Sequence, residues 1–167
     1  KEKLGDLRII AEDLGFLTDS VRQLLVDSGY PGMKVLQFAF DSREPSNYLP
    51  HTYPRNCVVY TGTHDNTTTR GWYHEIRPDC RAFAKEYMHV DALDEDNLSW
   101  NFISLAMSSV ADLCVIPMQD YLCLDEKARI NTPSTLGGNW TWRMDGEAFT
   151  FELAKQIHRM TEIYGRL

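Results

Sequence analysis

Four short apolar runs punctuate the chain, at residues 7–11, 35–40, 57–60 and 113–118. Each is nearly continuous rather than alternating, the pattern of parallel strands buried on both faces. Helical periodicity fills much of the space between them. Thr18 or Asp19 can cap a helix carrying Val21, Leu24 and Leu25, with Gly29 placed to end it. Residues 81–89 put Phe83, Ala84, Tyr87 and Met88 at helical spacing, and residues 100–107 form a further helix that ends near Ser108 and Ser109. Residues 147–164 carry Phe149, Leu153, Ile157, Met160 and Tyr164 on one stripe. Strands alternating with helices predict an α/β protein of about four parallel strands joined by right-handed crossovers.

Two stretches resist this pattern. Residues 41–56 hold Pro45, Pro50 and Pro54 with little periodicity, and residues 131–142 hold Pro133, Gly137, Gly138 and two tryptophans. Loops of this length in a compact domain usually carry function or lack order. No internal repeat, low-complexity tract or linker is evident, and 167 residues fit one globular domain.

Charge narrows the function classes. Asp plus Glu number 24 against 17 Lys plus Arg, a net charge of −7, with no basic block. That balance argues against nucleic-acid and anionic-membrane binding, and no apolar stretch reaches the length of a membrane span. The N-terminal residues lack the apolar core of a secretory signal. The chain starts at Lys1 without a methionine, so an internal piece of a longer chain is expected. Cys57, Cys80, Cys114 and Cys123 show no C-x-x-C spacing, and Cys57 and Cys114 lie in apolar runs. Reduced, buried thiols and a cytoplasmic setting are the expectation.

The chemistry gathers at the strand ends. The first run leads into Glu12 and Asp13, the second into Asp41, the third into His64, Asp65 and Asn66, and the fourth into Gln119 and Asp120. Active sites of α/β barrels and open α/β sheets lie on that face. For Asp13 and Asp120, capping of helices or turns is an equal alternative. Glu is a poor cap, and a Glu leaving an apolar strand is expected to be desolvated, which disfavours its charged form. Convergent carboxylates without a phosphate-binding glycine loop point to glycosidic-bond chemistry, which pairs a proton donor with a second carboxylate. His64 and Asp65 suit vicinal sugar hydroxyls, and Phe38, Phe40, Trp72, Tyr73, Trp140 and Trp142 are aromatic surfaces for either sugar stacking or the core. No metal site is expected: His64 has no second histidine at ligand spacing, and His74-Glu75 lacks the H-E-x-x-H partner. No G-x-S-x-G elbow is present.

These residues carry a resemblance. Ile9 to Gly15 (IAEDLG within it), Pro31 to Phe40 (PGMKVLQFAF), Leu49-Pro50-His51, Tyr60 to Asn66 (YTGTHDN) and Asn139 to Arg143 (NWTWR) closely resemble the 4-α-glucanotransferase family (amylomaltase, or disproportionating enzyme). The match runs from end to end in the family's order. It implies a (β/α)8 TIM barrel acting on α-1,4-glucans by a retaining double displacement, with no cofactor and no metal. Glu12 would be the general acid/base and Asp65 the carboxylate that binds sugar hydroxyls and stabilises the transition state. His64, Asn66, Phe38 and Asp41 would contact substrate. The family's nucleophile belongs to the strand before Glu12 and falls outside this chain, so residues 1–167 are expected to be the C-terminal half of the barrel, prone to self-association through unpaired edges. Thr67 stands where the family often has a second Asp. A related α-glucan hydrolase, or a non-catalytic glucan-binding fragment, are the competing expectations.

Overall fold

The computed structural model describes residues 5, 7–15, 17–41, 43, 45–91, 93–95 and 97–167. The extreme N-terminal residues, and positions 42 and 44 of the proline-rich excursion, lie outside that set.

Three parallel strands form one sheet in the order β1 (Gly32–Val35), β2 (Cys57–Tyr60), β3 (Leu113–Val115). Gly32 pairs with Cys57 and Val35 with Tyr60; Val58 pairs with Leu113 and Tyr60 with Val115. The helices are α1 (Asp19–Ser28), α2 (Thr69–Glu75), α3 (Pro78–Met88), α4 (Leu98–Ser108), α5 (Met118–Tyr121) and α6 (Phe151–Ile163). No helix among the described residues is long and apolar enough to cross a membrane.

Local signals explain the helices. Thr18 is extended and precedes α1, and Gly29 closes it in the left-handed conformation at φ 67°, where a side chain would be strained. Thr68 and Thr150 accept the backbone N–H of Gly71 and Leu153, each satisfying an orphan donor in a first turn. Pro78 opens α3, where its missing N–H costs nothing.

The strands depart from expectation in three ways. Residues 7–11 form no strand: Ala11 donates to the Pro31 carbonyl at 2.9 Å, and residues 7–10 are exposed. An apolar run becomes a buried strand only when neighbours cover it, and β1 alone covers one side. The second strand lies earlier than predicted, because the chain tightens into a 3-10 turn at Leu36–Phe38, with Gln37 donating its N–H to the Thr61 carbonyl. The fourth run leaves the sheet after Val115, and Pro117, which has no N–H to give a ladder, begins α5. The residue 57–60 strand is as expected, while the connection from β1 to β2 holds no α-helix among the described residues, and α2 and α5 went unpredicted.

One sheet face is packed. Cys57 and Val59 join a core with Leu36, Ala39, Phe40, Trp72, Leu98, Phe102 and Ala106, and Cys114 packs against it. Burial pushes the Cys57 and Cys114 thiols up to about 11, so both behave as small apolar groups; all four cysteines are free. Phe40, Trp72 and Phe102 meet with centroids 5.0 to 5.9 Å apart, each pair contributing about 0.5–1.5 kcal/mol beyond its area. Trp72 Nε1 donates to the Gln37 carbonyl at 3.1 Å, so this core also fixes the end of β1. The other sheet face carries the Val58–Leu113 and Tyr60–Val115 rows; Val58 is buried, while Leu113 and Val115 are 46% and 38% exposed. It is open along β3.

Beneath the strand ends lies a buried polar junction. Asp120 is 1% exposed. Its Oδ2 accepts the Thr61 hydroxyl at 2.5 Å and its Oδ1 accepts the Thr69 N–H at 2.8 Å, tying α5 to the end of β2 and the start of α2. Gln37 Nε2 donates to the Thr67 carbonyl at 2.9 Å. A Cβ on Gly62 would sit 2.6 Å from Gln37 Nε2 and push that amide off its bond to Thr67. Asp120 is thus a clamp, across elements rather than within its own helix.

Burial raises the Asp120 carboxyl above its ordinary 3.8. Its protonated form therefore favours folding, an effect fully present below 3.8 and lost as pH rises through the raised folded value. Asp120→Ala should lower unfolding free energy by about 3 kcal/mol, since it strands the buried Thr69 N–H. Asp120→Asn keeps an acceptor, should cost about 1 kcal/mol, and should flatten that pH dependence; urea unfolding across pH measures both.

Candidate active site

The turn between β2 and α2 is built by its own side chains. Asn66 Oδ1 accepts the Thr63 N–H at 2.9 Å and the Thr63 hydroxyl at 2.8 Å, and the Asn66 N–H donates to the Thr63 carbonyl at 3.2 Å. Thr63 Oγ1 in turn accepts the Asp65 N–H at 3.2 Å. The apex of this turn presents His64 and Asp65, with side chains 54% and 48% exposed and His64 Nε2 3.3 Å from Asp65 Oδ1.

The residue 129–131 segment crosses this apex. Asn131 Nδ2 donates to Asp65 Oδ1 at 2.6 Å, and the Asn131 N–H donates to the His64 carbonyl at 3.1 Å. Arg129 donates from Nη2 to the Asp65 carbonyl at 2.6 Å and from Nε to the Asn131 carbonyl at 2.9 Å. Trp140 closes the top, its ring 5.1 Å from that of His64, held by its N–H to the Ile130 carbonyl at 2.8 Å. At 57% exposure Trp140 is no core residue, whereas Trp142 is half-buried.

Residues 11–15 approach from the β1 side. Asp13 Oδ1 accepts the Met33 N–H at 2.6 Å, which pins this segment to β1. Asp13 therefore anchors a strand rather than capping a helix. Glu12 Oε1 accepts the Leu14 N–H at 2.9 Å, and the side chain is exposed. The expected desolvation of Glu12 is not met among the described residues: nothing stands on the flank away from β1.

Glu12, Phe38, His64, Asp65 and Asn66 line one open cleft of about 600 Å³ at the C-terminal ends of the strands, with Met33, Tyr48 and Pro133. Five of the six predicted site residues thus meet there. Asn66 arrives with its carbonyl oxygen already engaged by Thr63, so only its Nδ2 is left for a ligand. Asp41 lies in an adjoining cleft of about 570 Å³ that shares Phe38 and Tyr48. Arg43 donates from Nε to Asp41 Oδ1 at 2.8 Å and also contacts Oδ2 through Nη2, while Arg77 Nη1 lies 3.8 Å away. These hydrogen bonds from Arg43, with the charge of Arg77 behind them, hold the Asp41 carboxyl well below the usual carboxylate range. Phe38 and Tyr48 meet edge-on at 5.5 Å and form the wall between the clefts.

A family model described as 4-alpha-glucanotransferase matches residues 1–149. The chain belongs to that family. It is 48% identical over 166 residues to the 4-alpha-glucanotransferase of Clostridium butyricum, an alignment covering 99% of this chain and 34% of that protein. The Thermus thermophilus 4-alpha-glucanotransferase is 42% identical over 172 residues, covering 100% and 34%. Among solved structures, the amylomaltase from Streptococcus agalactiae in complex with acarbose superposes with a TM-score of 0.92 at 37% identity, covering 99% of this chain and 33% of that one. The chain spans about a third of the length of the curated relatives it matches. The AEDLG and THDN motifs of this chain bear Glu12 and Asp65, and both residues line one cleft.

Arg129 and Asn131 escaped sequence reasoning. Their i, i+2 spacing puts both on one side of an extended segment, which is a signal only once the segment is known to be extended and to cross the turn.

Removing Arg43 should move Asp41. In Arg43→Ala the Asp41 titration should shift upward toward its ordinary 3.8, stopping short because Arg77 remains; carboxyl NMR through a pH titration reads the shift.

Proposed function

We propose that the whole protein to which this chain belongs is a 4-α-glucanotransferase, moving an α-1,4-glucan segment to the 4-hydroxyl of an acceptor glucan or glucose by a retaining double displacement. The observation that carries this reading is the shared cleft: Glu12 on one wall, His64 and Asp65 on the other, at the C-terminal ends of parallel strands.

The roles follow from position. Glu12 reaches the cleft from outside the core, free to deliver a proton to the glycosidic oxygen and to withdraw one from the acceptor hydroxyl. Asp65 holds negative charge where positive charge develops on the sugar, and His64 donates to hydroxyls beside it. Asp41 and Phe38 serve the adjoining cleft, where the Phe38–Tyr48 wall offers a ring for stacking. Water at about 55 M competes for the intermediate, so transfer requires positioned acceptor contacts. Pro45, Ser46, Asn47 and Tyr48 from the first long loop and Pro133 from the second line the two clefts and are placed to supply them.

We further infer that residues 1–167 are the C-terminal half of a (β/α)8 barrel, which typically takes roughly 250 residues. Residues 7–11 lie where a fourth strand would flank β1, and their exposed Leu7, Ile9 and Ile10, with Leu24 on α1, offer an apolar edge to a neighbour. On the opposite flank Val110, Leu113 and Val115 offer another. Expressed without the other half, the chain should self-associate through these edges. Free thiols fit a reducing compartment such as the cytoplasm, and a net charge of −7 fits an uncharged glucan substrate.

Two measurements on the complete protein test the reading. Maltotriose should yield glucose and a ladder of longer maltodextrins with no net rise in reducing ends, and acarbose should compete. Steadily rising reducing ends with no product longer than the substrate would overturn transfer in favour of hydrolysis. Glu12→Gln should lower kcat by about 10²–10⁴-fold in a folded protein, and near-normal turnover would remove Glu12 from its role.

A further inference from the structure

We propose that Asn131 is a positioning residue for Asp65, fixing which carboxylate oxygen faces the substrate. The proposal rests on Asp65 acting on the sugar as described above, and it concerns a residue that neither the strand-end pattern nor the resemblance singled out.

Asp65 sits at the apex of a turn with its side chain 48% exposed, so packing does not lock its rotamer. Hydrogen bonds must. Asn131 Nδ2 at 2.6 Å and His64 Nε2 at 3.3 Å both address Oδ1. Among the described residues no hydrogen bond reaches Oδ2, which leaves that oxygen for a ligand. The Asn131 side chain does not hold its own loop together: Asn139 does that, accepting the Thr132 N–H at 2.9 Å and donating to Thr135 Oγ1 at 3.0 Å. Its amide is therefore dedicated to the carboxylate.

The clamp is braced on the backbone. The Asn131 N–H grips the His64 carbonyl, while Arg129 grips the carbonyls of Asp65 and Asn131. The Arg129 guanidinium fixes the separation of the two segments, and Asn131 uses that separation to aim one oxygen. A carboxylate that stabilises a developing cation must be aligned in the transition state more than in the ground state, so loss of the clamp should appear in kcat rather than KM. Misplacement by about 1 Å is worth on the order of 10²-fold.

The test compares Asn131→Ala, Asn131→Asp and Asp65→Asn in the complete protein, with maltotriose as substrate. Asn131→Ala should lower kcat about 10²-fold with KM changed by less than about threefold. Asn131→Asp is isosteric and keeps the backbone bond to His64, so it stands in if the alanine variant fails to fold. It lacks the donor at neutral pH, and protonation of its new carboxyl restores one, so its activity relative to wild type should rise as pH falls. Asp65 and His64 face this position from the turn and Arg129 from its own segment, so the ratio reads the new carboxyl in the presence of those groups. If both Asn131 variants keep kcat within about threefold of wild type, or if the ratio for Asn131→Asp is flat with pH, the positioning role is overturned. Asp65→Asn separates the two failures: loss of rate there with intact Asn131 variants removes only the clamp, whereas full rate in Asp65→Asn removes the reading of Asp65 and the clamp with it.

Discussion

A carboxyl group that never meets solvent organises the active face of this protein. Asp120 receives the Thr61 hydroxyl on one oxygen and the Thr69 N–H on the other. Those two residues bracket the turn that displays His64 and Asp65. Burying a carboxyl is unfavourable unless both oxygens are satisfied, and satisfying them dictates where the turn begins and ends. Gln37 repeats the logic one strand away, donating to Thr67 while its own carbonyl takes the Trp72 indole N–H. The exposed site therefore stands on a buried polar floor that is itself anchored in the aromatic core of Phe40, Trp72 and Phe102.

Much of this was legible in the chain. Helices α1, α3, α4 and α6 announced themselves through apolar spacing, and α1 also through Thr18 and Gly29 at its ends, because such signals are local and need no knowledge of the fold. The apolar runs were harder. Residues 35–40 read as one strand, yet only Val35 belongs to β1, and Leu36, Ala39 and Phe40 are buried in the turns that follow it; continuous hydrophobicity reports burial, not conformation. Residues 7–11 carry the composition of a strand and, among the described residues, only one partner edge.

The site divides the same way. Glu12, His64 and Asp65 were found because they stand at or shortly after the ends of apolar runs, a one-dimensional signal. Asp120 had the same signal and proved to be a structural clamp, so position at a strand end selects candidates without separating an exposed carboxylate from a buried one. Burial separates them. Arg129 and Asn131 had no such signal, since their relation to Asp65 spans more than 60 residues of sequence and exists only once the residue 129–131 segment crosses the turn.

The carboxylates around the clefts differ in what remains free on them. Asp41 has both oxygens engaged by Arg43 and its charge stabilised by Arg77, so it presents a fixed ion pair rather than an open acceptor. Among the described residues, Asp65 keeps one oxygen unoccupied beside a histidine. Glu12 has one oxygen on the Leu14 N–H and the rest in solvent. A proton donor needs a raised pKa, and desolvation is the ordinary means of raising it. The described residues leave the outer flank of Glu12 uncovered, the same flank on which Leu7, Ile9 and Ile10 are exposed. On the reading proposed above, one event answers both needs: the neighbouring part of the barrel that buries this apolar edge also removes water from Glu12. Covering of the apolar edge and exclusion of water from Glu12 are then a single process, driven by apolar burial.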